Sequence, residues 1–457
     1  MTSTRPFLAR SWPLTALLGL ASGCSGPRSE TAPAEPAVDA PAKEPGASAR
    51  ETATERDAPD TVATAETPPS DEVHGQLREH QGQRILRVWG TPEQMGHAHG
   101  YWLRDSILEI VDGYALDVIP PSMLDTAGTL YSTVAHVPPR LKREAEGIVA
   151  GMKAAGGAHI ERLDRDLRAS DLLVLNAMTD LLSIGCSSVS AWGSSTEAAP
   201  QLHGAPIMVR NLDWSEDEDL LRNQVIFVFE PEAADRQPVV SVAFAGYIGC
   251  LSCMNEAGVS ALFNMGYGDG AASLGQAMGG FAPANLLLRD TLERRDIDSD
   301  GTSTSDDLQA TWDEVTHAGS YILHVLEPRR SDGREPARVL EVEADGVVTR
   351  GASDAPVLGA TMLAATNHLR RKTKPEPCPR YRNVERTAER ADHRFDRSSL
   401  WRLGTTVRLP EVVHTVAVEP ESRTLGVWLR GVGQTRADGT APVVHTWSSL
   451  TGAALAP

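Results

Sequence analysis

Downstream of residue 185 the chain breaks into short apolar runs rich in Val, Ile, Phe and Ala, separated by turn residues. Such runs predict strands over Cys186–Trp192, Ala205–Trp214, Gln224–Glu230, Pro238–Tyr247 and Val259–Met265. Apolar positions at helical spacing then predict helices over Pro283–Arg295 and Asp306–His317. Strands return at Ser320–Glu327, Arg338–Val342 and Thr361–Thr366, and a helix follows near Arg380–Ala391. A hairpin closes the pattern, with Val412–Glu419 turning through Pro420-Glu421-Ser422 into Arg423–Leu429. The first third of the folded part reads as helical, with periodicity over Arg143–Ala155 and an apolar-rich segment over Asp171–Ile184. Runs of strands interrupted by paired helices predict α+β layering. No low-complexity break and no evident repeat interrupts residues 74–457, so they are expected to form one domain.

The amino-terminal pattern is of another kind. Arg5 and Arg10 precede an apolar stretch from Trp12 to Leu20 that ends in Ala21-Ser22-Gly23-Cys24. A charged start, a short apolar run and small residues describe an export signal over 1–23, too short for a membrane-spanning helix. Small residues directly before a cysteine resemble a bacterial lipobox. That resemblance implies an exported lipoprotein in which Cys24 is lipidated, and the lipid is its one expected membrane contact. Ser25 in place of Asp leans towards the outer membrane. Residues 24–73 are Ala, Pro, Thr, Ser and charge; such a chain buries too little to offset its ordering entropy and is expected to be a disordered tether.

Charge changes this picture in one respect. Lys and Arg number 43 against 61 Asp and Glu, a formal net charge of −18. Residues 25–73 alone hold 11 acids and 4 bases, so the tether carries a large share of it. An acidic balance excludes the electrostatic footprint of a nucleic-acid binder. The 41% hydrophobic content is enough for a real core.

Candidate chemistry centres on the five cysteines, Cys24, Cys186, Cys250, Cys253 and Cys378. Cys186 stands in Ser183-Ile184-Gly185-Cys186-Ser187-Ser188-Val189, after a small residue and ahead of a β-type run. Shortly after comes Val209-Arg210-Asn211-Leu212-Asp213-Trp214, charges set in an apolar strand, where each needs a partner. His97 and His99 have the look of a two-histidine metal pair, but Gly96 and Gly100 bracket them.

Taken in order, these strings resemble the autoproteolytic penicillin acyltransferase-like family (acyl-coenzyme A:6-aminopenicillanic acid acyltransferase). That family belongs to the N-terminal nucleophile hydrolases and is related to choloylglycine hydrolases and acid ceramidase-like amidases. Residues 90–100, from Gly90-Thr91-Pro92 to His97-Ala98-His99-Gly100, resemble its opening signature, and Glu146-Gly147-Ile148 to Gly157 its next helix. Cys186 resembles the cleavage-site nucleophile, and Arg210-Asn211-Leu212-Asp213-Trp214 the most recognisable string. Gly258 to Asn264 and Thr366-Asn367-His368 resemble two later asparagine motifs.

The resemblance implies a four-layer αββα sandwich and a chain that cuts itself between Gly185 and Cys186. Cys186 would then carry both a thiol, ordinarily near ~8.5, and an α-amino group near ~7.7–8.0 as a matched base. By the same resemblance Arg210 and Asp213 are the pair that orients the amine and tunes the thiol. Asn264 and Asn367 stand near the developing oxyanion. Pro379-Arg380-Tyr381-Arg382 resembles the stretch holding a later active-site arginine, Arg380, with Arg402 as its rival. The implied activity is that of a cysteine hydrolase or acyltransferase acting on small-molecule linear amides through a thioester on Cys186, with no cofactor required. A choloylglycine hydrolase-like or N-acyl-lipid amidase is the alternative within the enzyme class. A non-catalytic, calcium-loaded surface lipoprotein is the alternative outside it.

Two features stand apart. Cys250-Leu251-Ser252-Cys253 has redox-motif spacing and export would permit a disulfide, yet the resemblance implies a tight turn there, before Met254-Asn255-Glu256, and the pair reads as free or structural thiols. Asp296, Asp298, Asp300, Gly301 and Asp307 occupy positions one, three, five, six and twelve of an EF-hand-like loop resembling the dockerin variant. A structural calcium is one reading there and an acidic loop between two helices the other, since Ser303 stands where an apolar residue is usual.

Overall fold

The computed structural model describes residues 73–181, 184–268, 279–372, 377–436 and 441–452. The signal over 1–23, Cys24 and nearly all of the tether lie outside the described residues. Most of the protein is built on two sheets. The larger has nine strands in the order β1 (Gly75–His80), β2 (Gln83–Gly90), β7 (Gln224–Pro231), β8 (Val239–Phe244), β9 (Ser252–Asn255), β10 (Ser260–Met265), β11 (Tyr321–Leu326), β12 (Ala337–Glu343) and β13 (Gly346–Arg350). The smaller has six, in the order β14 (Met362–Ala365), β5 (Gly185–Ala191), β6 (Ile207–Asp213), β15 (Val412–Glu419), β16 (Thr424–Leu429) and β17 (Val443–Thr446). A separate two-residue pair, β3 (His159–Ile160) and β4 (Arg165–Asp166), completes the set. Every ladder is antiparallel except β2 with β7.

Strand parity sorts the core into layers. Successive residues of a strand point to opposite faces. On β7, Val225, Phe227 and Phe229 join a core shared with the helices α1 (Pro92–Glu109) and α2 (Pro139–Ala154) and the helix α3 (Ala284–Glu293). Ile226 and Val228 face the other way, into a core that includes Met208, Val209 and residues of α4 (Pro379–Arg390) and α5 (Arg397–Thr405). Both faces of the central strands are therefore buried, which is why their sequences read as nearly unbroken apolar runs. The order helix, sheet, sheet, helix is the expected α+β sandwich.

The opening signature turns out to be a contact between helices. A Cβ built on Gly96 would lie 2.0 Å from the Glu144 carbonyl oxygen, and one on Gly100 1.9 Å from that of Ile148. From the other side, Gly151 would meet the His97 carbonyl oxygen at 2.0 Å. Hydrogen atoms at these four-residue spacings let α1 and α2 touch backbone to backbone. The two histidines diverge: His99 is buried and its Nε2 accepts from the Gly246 amide at 3.0 Å, while His97 stacks on Tyr101. Burial, then the nearby Arg289 cation, push the His99 imidazolium down to about 3, so the ring stays neutral.

The first third is largely helical as expected, including Pro139–Ala154 and Ala169–Asn176, but the fold opens with the β1–β2 hairpin before α1 begins. Four of the six residues of Gly75–His80 are polar, three of them consecutive, and this hides its strand character. The cysteine expectation needs correction. Cys250 and Cys253 form a disulfide, with Cα atoms 5.9 Å apart. The tight turn entering β9 is what brings the two within bridging distance. No helix among the described residues is long and apolar enough to cross a membrane.

Candidate active site

β5 and β6 lie side by side with Cys186 opposite Leu212 and Ser188 opposite Arg210. Cys186, Ser188 and Ser190 share the face of β5 that looks into the space between the sheets; Ser188 and Ser190 hydrogen-bond the two ring nitrogens of His324 on β11. Arg210 projects into the same space. Its Nη2 lies 3.3 Å from Cys186 Sγ and donates to the Phe263 carbonyl at 2.6 Å. Its Nη1 donates to Ser252 Oγ at 2.8 Å and reaches His414 Nε2 at 3.3 Å. Burial pushes the Cys186 thiol up, and the Arg210 cation is the strongest influence pulling it back.

Asp213 stands three residues beyond Arg210, hence on the opposite face of the strand. Arg210 and Asp213 form no ion pair among the described residues. Asp213 Oδ2 pairs instead with Arg380 Nη1 at 3.2 Å, and Oδ1 accepts from the Leu409 amide at 3.1 Å. Burial lifts the Asp213 carboxyl to about 6, with Arg380 the main opposing influence.

Arg380 and Asn367 complete the cluster. Arg380 enters from the first turn of α4 and donates to the Cys186 carbonyl at 2.8 Å and to Asn367 Oδ1 at 2.7 Å. Arg402 is exposed and reaches Ser398 Oγ, so of the two arginines only Arg380 meets the site. Asn367 Oδ1 accepts from the Cys186 amide at 2.9 Å while its Nδ2 donates to the Ile184 carbonyl at 3.0 Å. One side chain thus grips the backbone on both sides of Gly185. Asn264 is more loosely engaged: its Nδ2 reaches the Thr366 carbonyl at 3.4 Å and its buried Oδ1 has no hydrogen-bond partner.

Three further groups bear on the sequence expectations. Asp296, Asp298 and Asp307 each offer a carboxylate oxygen within 4.8 Å of the others. These oxygens also accept backbone amides: Asp296 from Asp300 and Gly301, Asp307 from Ile297, Asp298 and Thr304. Asp300 turns instead to Thr302. Cys378 is a free, buried thiol at the N-cap of α4. Burial raises it, but hydrogen bonds involving His368, the Tyr381 backbone and Thr366 together outweigh that and bring it down to about 6. Ser252 and His414 escaped the sequence reading. The one signal for His414 was a histidine inside the apolar run Val412–Val416, and Ser252 was masked by the cysteines around it.

Chemically, the cluster sets a thiol against a cation on one face of β5. On the other it sets a carboxylate–arginine–asparagine chain around the peptide bond that precedes that thiol. No family model matches the chain. Protein dcd1B of Dictyostelium discoideum is 23% identical over 183 residues, which is 37% of this chain and 35% of that protein. The match spans about a third of that relative's length. Among solved structures the chain is similar to the N-acylethanolamine-hydrolyzing acid amidase ortholog of Caenorhabditis elegans, with 20% identity over 51% of this chain and 93% of that one, at a TM-score of 0.39. It is similar also to penicillin V acylase from Agrobacterium tumefaciens, at 12% identity over 53% and 83% of the two chains and a TM-score of 0.33. A third is a mutant of conjugated bile acid hydrolase from Clostridium perfringens, at 11% identity over 57% and 96% and a TM-score of 0.32.

Proposed function

We propose that this chain is a self-processing cysteine amidase or acyltransferase with Cys186 as nucleophile, exported and held at a membrane, the outer one, by a lipid on Cys24. The single observation that carries the reading is the grip of Asn367 on both the Cys186 amide and the Ile184 carbonyl. It fixes the Gly185–Cys186 peptide bond beside a thiol that faces the Arg210 cation. In the first step the Cys186 sulfur attacks the Gly185 carbonyl carbon; the C–S bond forms, the C–N bond breaks, and the amine takes the thiol proton. Water then hydrolyses the thioester, which leaves a carboxylate on Gly185 and restores the thiol.

The mature Cys186 has a thiol and an α-amino group on one residue. Ordinarily near ~7.7–8.0, that amine takes the thiol proton and returns it to a leaving nitrogen. The acyl group of an incoming linear amide passes to Cys186 as a thioester, then to water or to another amine. Asn264 and Asn367 supply amide donors near the developing oxyanion, where one donor is worth ~3–4 kcal/mol. A small-molecule acyl amide is the proposed substrate class.

Intact-mass analysis of purified protein tests the reading. Wild type should give two fragments, one ending at Gly185 and one beginning at Cys186, and Cys186→Ala should give a single chain. The same two fragments from Cys186→Ala, or an uncut wild type, would overturn it. An uncut wild type that still binds calcium would favour the non-catalytic lipoprotein.

A further inference from the structure

We infer that Ser252 and His414 are positioning residues for the reaction at Cys186, seating the Arg210 guanidinium against the sulfur from behind. The inference rests on Cys186 being the nucleophile proposed above. A guanidinium has five N–H donors in a fixed plane. Nη2 is turned to Cys186 Sγ and the Phe263 carbonyl, and Nη1 to Ser252 Oγ and His414 Nε2. The two acceptors come from different sheets, Ser252 from β9 and His414 from β15, and they also meet each other at 3.2 Å. With Arg210 and His414 wholly buried and Ser252 1% exposed, solvent cannot substitute for either contact.

The chemistry of the acceptors matters as much as their location. Both are neutral, since burial and then the Arg210 cation hold the His414 imidazolium well below its ordinary value. No carboxylate forms an ion pair with Arg210 among the described residues, and of the charges acting on the sulfur the Arg210 cation outweighs the more distant Asp213. Arg380, on the far side of β5, is by contrast paired with Asp213. A neutral seat fixes the direction of the cation and leaves its charge to stabilise the thiolate. The histidine is otherwise hard to account for. Its Nδ1 is buried without a hydrogen-bond partner, a burial cost that an apolar residue in the same strand would avoid. Ser252 is itself fixed from both sides, because the disulfide joins the residue after it to Cys250.

The charged groups that act on the thiol are Arg210, which faces it, and Asp213 and Arg380 on the far side of the strands, and the two positioning residues act through the first of these. The test is the pH profile of iodoacetamide alkylation of the full chain, read at Cys186 by peptide mass so that Cys378 is scored separately. Ser252→Ala and His414→Leu should raise the midpoint by about one pH unit, which is about tenfold slower alkylation at pH 7. Ser252→Thr and His414→Gln, which keep an acceptor, should recover most of that rate. Should Ser252→Ala not fold, the His414→Leu and His414→Gln pair supplies the same comparison from the other acceptor. Folded variants that alkylate on the wild-type profile would overturn the inference alone. A wild-type Cys186 that is neither cleaved nor alkylated would overturn the nucleophile reading beneath it.

Discussion

Asp213→Asn should make the protein more stable and less active. The Asp213 carboxyl is lifted to about 6 against an ordinary value of 3.8, chiefly by burial. A group whose folded pKa is raised favours the fold while protonated, so its favourable share is complete below 3.8 and lost as pH rises through about 6. At pH 7–8 the ionised form therefore costs about 3 kcal/mol relative to the protonated one. Asparagine imitates the protonated acid in shape and keeps one oxygen for the Leu409 amide, while its Nδ2 replaces the oxygen that meets the partly solvated Arg380. For a domain of this length the unfolding entropy is roughly 0.8 kcal/mol per degree, so the expected gain in melting temperature is about 4 °C. The comparison belongs in a Cys186→Ala background, where the chain stays intact and one melting transition describes it. Scanning calorimetry at pH 7.5 should show the gain, and at pH 4 it should nearly vanish. In the chain that retains Cys186, the same substitution should slow self-cleavage. A loss of stability at pH 7.5, or a gain equal at both pH values, would refute the claim that burial of an ionised carboxylate dominates at this position.

Two other outcomes are expected. Gly100→Ala puts a methyl group 1.9 Å from the Ile148 carbonyl oxygen. Overpacking of this kind costs about 1–3 kcal/mol and outweighs the ~1 kcal/mol that alanine gains over glycine in a helix; chemical denaturation should show a lower midpoint, and an unchanged or higher one would mean that α1 and α2 can separate freely. The loop from Asp296 to Asp307 is tested by melting with calcium against chelator: a calcium-dependent rise that Asp298→Ala abolishes is the expected result, and identical curves would remove the ion.

The layers of the fold were legible where burial on both faces left a chemical trace. Gln224–Pro231 and Ser260–Met265 are apolar on successive residues because each side of the sheet has its own core. β1 carried no such trace, since only its Gly75 is fully buried and its polar residues face outward. At the site, Cys186, Asn367 and Arg380 stood out by motif, but which charges pair is a matter of strand parity. Residues three apart on a strand point to opposite faces, which separates Arg210 from Asp213 and hands the carboxylate to Arg380. Ser252 and His414 come to Arg210 from strands 162 residues apart, on different sheets, a juxtaposition that no local pattern encodes.

The grip of Asn367 has a consequence for the proposed self-cleavage. While the chain is whole, the Nδ2 of Asn367 donates to the Ile184 and Met265 carbonyls, and the first of these belongs to the segment that the proposed cut at Gly185 would free. The protein's own tail is thus the mould around which the acyl side of the site is cast. Were the mould withdrawn, a donor already aimed and anchored by Arg380 would be left waiting for the carbonyl of a stranger.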